Sequence, residues 1–306
     1  MTLISVTAPV SRAIDTVRKI LFEPFDPTVW FVLGFTAWLA GLTESGGVHI
    51  PSLQSSPAES LGSMSNWVGA HLAFCVVMAI VVGVVALGIS LVVSWVSSRG
   101  KFMFLDNVLQ VRALIKEPWQ RYRAQGNSLF LFVVCFGLFV LAVLATFIIV
   151  GVVIAWPDIG RRTFGLYALL SVLLCGGFIA CFLVALACVS VCLKDFVVPI
   201  MVFQSCRVMT AWSRFWELLR AHPGSFMLYL LFRFVLTLAA GILTLLLCCL
   251  LCCTVLIPYI GVVILLPIHV FWRSYSLHFL GQFGPEYQIQ HRGPPPMYMT
   301  LEHERA

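Results

Sequence analysis

Residues 99–127, RGKFMFLDNVLQVRALIKEPWQRYRAQGN, are the one long polar interruption in a chain otherwise built of apolar runs. The blocks on either side are long enough to cross a hydrocarbon layer, which takes about 20 helical residues for about 30 Å. The stretch therefore reads as the edge of a membrane. Composition agrees: 60% of the 306 residues are hydrophobic and 10% are charged, against about 25% charged residues in a soluble domain.

Toward the N-terminus lies an expected crossing at 67–97, with Ala79, Gly83, Ala86, Ser90, Ser94 and Ser97 on one helical face. Such a small-residue seam predicts close packing on protein rather than lipid. Before it come a loop at 44–66, with two acids and no Lys or Arg, and a short crossing at 28–42. Phe25-Asp26-Pro27 separates that crossing from an amphipathic segment at 9–22, because the residue before proline avoids the helical region. The N-terminus carries acids without the order of a cleaved leader.

Toward the C-terminus, crossings are expected at 128–156 and 164–193, joined by Pro157-Asp158-Ile159-Gly160-Arg161-Arg162. The second of these is rich in Gly176, Gly177, Ala180, Cys181, Ala185, Cys188 and Cys192. An amphipathic segment follows at 194–224, then a crossing at 225–256, a turn at Pro258-Tyr259-Ile260-Gly261, and a last crossing ending near Phe283. The expected fold class is an all-α integral membrane protein, with six transmembrane helices as three hairpins, each preceded by an amphipathic interfacial helix. One helical membrane domain would span 1–283, and the proline-rich 284–306 would be a flexible cytosolic tail.

With both termini inside, every Lys and Arg falls at or near the cytosolic side except Arg161 and Arg162, which lie outside, and Arg233, which lies within a span. The positive-inside rule thus favours both termini in the cytosol, consistent with six crossings of a multi-pass protein whose expected location is the cytoplasmic (inner) membrane. Lys101, Trp119, Arg121 and Tyr122 also stand 93 positions before Lys194, Trp212, Arg214 and Phe215. That register suggests three repeats, 9–98, 101–193 and 194–283; a chance match of two aromatic, basic helices is the alternative.

Four blocks resemble a family of uncharacterised bacterial multispanning membrane proteins: Arg99 to Asn107; Glu117-Pro118-Trp119 with Gly126 to Phe130; Lys194 to Pro199; and Arg273-Ser274-Tyr275 through to Tyr287. More remotely the layout is similar to the membrane domain of some glycerophosphodiester phosphodiesterases, without their catalytic domain. The resemblance implies a helical membrane domain and carries no activity.

Charges inside apolar runs mark the candidate site. Arg233 and Arg273 fall at similar depth in the fifth and sixth crossings, where a charge costs a few kcal/mol unless it finds a partner or snorkels. One reading is a buried polar cluster of Arg233, Arg273, Asp195, Asp106, Asn107, His269 and Tyr275; the other is two arginines reaching headgroup phosphates. Arg99, Lys101, Arg121, Arg123 and Arg214, with Trp119 and Trp212, are expected to contact lipid headgroups, which makes membrane lipids rather than nucleic acid the partner. Cys249 and Cys252 form a literal C-x-x-C, but in an apolar helix without further ligands they read as small packing residues.

No nucleophile elbow, phosphate loop or metal-protease motif occurs, so no catalytic residue, metal or cofactor is expected. The functional expectation is a non-enzymatic membrane module that organises lipid or partner proteins at the cytosolic face. A small-solute or lipid transporter or channel is the alternative, and it would require broken spans near mid-membrane. An intramembrane enzyme would need the Arg233 and Arg273 neighbourhood.

Overall fold

The computed structural model describes residues 4–23, 25–43, 72–110, 113–161, 165–250 and 257–288. Among them the regular structure is entirely helical: α1 (Ala8–Leu21), α2 (Pro27–Gly41), α3 (Leu72–Gln110), α4 (Lys116–Arg121), α5 (Arg123–Arg161), α6 (Leu166–Cys192), a π-helical segment (Leu193–Val197), α7 (Val198–Phe203), α8 (Val208–Ala221), α9 (Pro223–Leu250), α10 (Pro258–Ile264) and α11 (Leu266–Leu280), then a 3-10 turn. The loop expected at 44–66, Arg112, Arg162, Cys252 and the tail beyond 288 lie outside the described residues.

Among the described residues four stretches are long and apolar enough to cross a membrane: Val76–Gln110, Arg123–Asp158, Leu166–Phe203 and Pro223–Leu250. Their apolar windows are at most 6% buried, so these lengths present their side chains outward. The first expected crossing is the 15-residue α2, about 22 Å long at 1.5 Å per residue. The sixth is divided at Leu265 into α10 and α11, beside Pro267.

Residues 99–110 differ from the sequence expectation. They are no interruption: α3 runs unbroken for 39 residues, about 58 Å, close to twice the hydrocarbon thickness. What changes near Ser97 is the environment and not the backbone, since 76–92 are exposed while every residue from 97 to 108 is buried. The helix expected across this stretch is reduced to the six-residue α4. Likewise α6 does not end at 193 but continues through the π-helical segment to Phe203, and α5 carries on past Pro157 to Arg161. Asp158, in that extra turn, is buried and accepts the Ala168 N–H at 2.8 Å, satisfying a free donor at the start of α6.

The small-residue seam is also corrected. Ala79, Gly83, Ala86 and Ser90 are exposed, and only its last members turn to protein. Ser97 Oγ donates to the Ala40 carbonyl at 2.9 Å. At Gly100 a Cβ would stand 2.8 Å from the Leu39 and Ala40 backbone, so its absence is what lets α2 lie against α3.

The core gathers at one end of the long helices. There Phe102, Met103 and Leu105 of α3, Phe196, Val197 and Ile200 around the π-helical segment, and Tyr275, Leu277 and Phe279 of α11 are fully enclosed. Phe196 sits among Phe215, Phe226, Tyr229 and Phe279, with ring centroids 4.9–6.0 Å apart. α1 buries Pro9, Ala13, Ile20 and Leu21 and packs along α11. Two reciprocal bonds between Ser5 and Gln282, at 2.8 and 2.9 Å, tie the first described residues to the turn just after α11.

Candidate functional site

Where the packed end meets the bare helices, charged side chains from four elements surround a cavity of about 160 Å³. Lys101 comes from α3, Lys194 and Asp195 from the π-helical segment, Arg233 from α9, and His269, Trp272 and Arg273 from α11. Ala37, Ala40 and Gly41 of α2 supply an apolar wall that their small side chains keep open.

Asp195 anchors the arrangement. Its Oδ2 lies 2.6 Å from Arg233 Nη1 and accepts the Tyr229 hydroxyl at 2.8 Å. Tyr229 and Arg233 stand four apart on α9 and so share a helix face, which brings both to one carboxylate. The pair is nearly enclosed, with side-chain exposures of 16% for Arg233 and 7% for Asp195. The Arg233 guanidinium also lies 4.5 Å from the centre of the Trp272 ring, a stacking that Arg favours.

Arg273 binds backbone instead. Its Nη1 donates to the Lys194 carbonyl at 2.6 Å and its Nη2 to the Lys101 carbonyl at 3.4 Å, so one guanidinium bridges the two segments that carry the lysines. The planar fork of Arg suits such a bridge. Among the described residues the lining carries four cations, Lys101, Lys194, Arg233 and Arg273, against the single carboxylate of Asp195.

Of the residues marked in the sequence, Arg233, Arg273, Asp195 and His269 meet around this cavity. Asp106 and Asn107 do not. Asp106 accepts the Tyr122 hydroxyl at 2.8 Å and the Gln110 amide at 2.9 Å. Asn107 exchanges bonds of 3.0 and 3.1 Å with the Leu114 backbone and so closes the turn into α4. Tyr275 stacks on Tyr229 but directs its hydroxyl to the Val6 carbonyl.

The expected headgroup residues also divide. Arg121, Arg123 and Arg214 are exposed. Arg99 is buried between the Trp95 and Trp119 rings, 4.2 and 4.9 Å from their centres, with Asn127 Oδ1 accepting from its Nη2 at 2.9 Å. Lys101 is 8% exposed, and Trp212 packs against Phe132 and Phe215. Sequence reasoning did not single out Tyr229, Trp272 or Lys194 as site residues. Their signals were present: Tyr229 precedes Arg233 by one turn, and the other two adjoin Arg273 and Asp195.

The chain belongs to a family of unknown function (DUF7544), matched over residues 4–267. No curated protein and no solved structure matches it.

Proposed function

We propose that this member of a family of unknown function is a multi-pass protein of the cytoplasmic membrane, with both termini in the cytosol, that organises lipid at the cytosolic face without catalysing a reaction. The observation that carries this reading is the division of the molecule. The apolar lengths of α3, α5, α6 and α9 stay bare, while the packed core and every buried charge except Asp158 among the described residues share one end. A bundle built to conduct a polar solute would pack its spans around a path through the layer; these spans instead offer their flanks to lipid. In this reading α2 and the α10–α11 pair are the first and sixth crossings, and α1 and α8 lie in the interface.

Duplication belongs to the same proposal. Lys101 and Lys194 are 93 apart, as are Tyr122 and Phe215, whereas the rings stacked on those aromatics, Phe102 and Phe196, are 94 apart.

The break between α10 and α11 favours a second reading, transport, because discontinuous helices line many transporter sites. Reconstitution separates the two. Liposomes containing the purified chain, loaded with pH- and potassium-sensitive dyes and a headgroup-labelled lipid, are expected to show ion leak and lipid flip at the rate of empty liposomes. Saturable movement of any of the three would assign the chain to transport.

A further inference from the structure

We infer that Arg273 is a register lock for the junction of α6 and α7: it supplies the donor that Pro199 lacks, and so holds the π-helical segment in the register that keeps Asp195 toward Arg233 and Tyr229. This goes beyond the membrane reading and concerns how the site is held together.

Backbone hydrogen bonds fix the register. At the end of the segment the Val198 N–H donates to the Leu193 carbonyl, five residues back instead of four. The next bond of that pattern would join position 199 to the Lys194 carbonyl. Position 199 is a proline, which has no N–H and whose ring crowds the carbonyl four residues before it in an α-helix. Pro199 therefore favours the wider π turn and at the same time withholds a donor from it. Arg273, arriving from α11, donates from Nη1 to that same Lys194 carbonyl at 2.6 Å. Its Nη2 reaches the Lys101 carbonyl of α3 at 3.4 Å, so the guanidinium that serves the junction is also tied to a second helix.

The register decides which side chains face inward. Relaxation of the π turn to an α turn rotates one side of the junction against the other by one residue, about 100°. Either Asp195 then leaves Arg233 and Tyr229, its partners at 2.6 and 2.8 Å, or Ile200 and Met201, both fully buried, turn away from the core. The observed register keeps both arrangements at once, and Pro199 together with Arg273 selects it.

The test is a double-mutant cycle on the full chain in detergent, in which Pro199→Ala restores an N–H at position 199 and Arg273→Met removes the outside donor. Arg273→Met is expected to lower the midpoint of thermal unfolding, and to lower it less in the Pro199→Ala background, where the helix itself donates to the Lys194 carbonyl. Arg273→Lys, which keeps a donor, is expected to fall between the natural chain and Arg273→Met, and it takes the place of Arg273→Met in the cycle if that variant does not fold. The carbonyl is also read directly. Lys194 is the one lysine followed by an aspartate, so carbonyl-labelled lysine with amide-labelled aspartate gives a single Lys194–Asp195 signal in isotope-filtered NMR. Arg273→Met is expected to move that carbonyl upfield, as loss of a hydrogen bond does, and adding Pro199→Ala to move it back. An equal loss of stability with and without Pro199→Ala, or a Lys194 carbonyl signal that removal of the Arg273 guanidinium leaves in place, overturns the proposal.

Discussion

At Asp195 one buried carboxylate serves two partners, Arg233 and Tyr229. Asp195→Asn keeps the shape and removes the charge that Arg233 Nη1 meets at 2.6 Å in a nearly enclosed site. Loss of one partner of such a pair costs about 3–5 kcal/mol, and the midpoint of thermal unfolding in detergent is expected to fall accordingly. Adding Arg233→Met should recover part of the loss, because both charges of the pair are then gone. A double variant no more stable than Asp195→Asn would show that the pair is not the reason. Arg233, Arg273 and Asp195 were legible in the sequence because a charge within or beside an apolar run is expensive and stands out. Tyr229 was not, since a tyrosine in a membrane helix has many uses and only its direction toward Asp195 assigns this one. Asp106 reads like Asp195 in sequence but faces Tyr122, a difference of side-chain direction that no count of positions supplies.

Helix contacts turn on single glycines. Gly100→Ala places a methyl 2.8 Å from the Leu39–Ala40 backbone, an atom pair that cannot move aside without shifting α2. Overpacking of this kind costs about 1–3 kcal/mol. Gly83→Ala, on the same helix, meets open space and is expected to leave the unfolding midpoint unchanged or slightly raised. Equal effects of the two substitutions would mean that α2 does not seat on α3 through Gly100. The sequence points to the other glycine: Gly83 stands in the small-residue seam, whereas Gly100 lies between Arg99 and Lys101 in the polar stretch. The start of α2 was readable, because Pro27 follows Asp26, whose side chain accepts the Thr28 N–H at 2.8 Å. The ends of α3 and α6 were not, because hydropathy follows what surrounds a helix and the backbone hydrogen bonds continue regardless.

For the whole molecule the decisive property is the contrast between bare and packed regions. Nitroxides placed at Val85 and at Arg121, in a background cleared of the 11 native cysteines, report it in bilayers. Val85, 55% exposed on α3, is expected to collide more with oxygen than with a water-soluble nickel chelate, and the exposed Arg121 to show the reverse. Water-like behaviour at Val85 would remove the membrane from the account. The sequence by itself determined that the chain is helical and apolar enough to cross a membrane, because composition and run length depend only on the order of residues. It also marked the opening stretch, 99–127, as a boundary. Only the tertiary structure decided what kind of boundary it is. Residues 99–110 continue a helix whose last turns meet α7 and α11, so Lys101 becomes part of a cavity wall. That convergence joins positions up to 172 residues apart, and it arises from side-chain direction and helix packing, which local pattern does not encode.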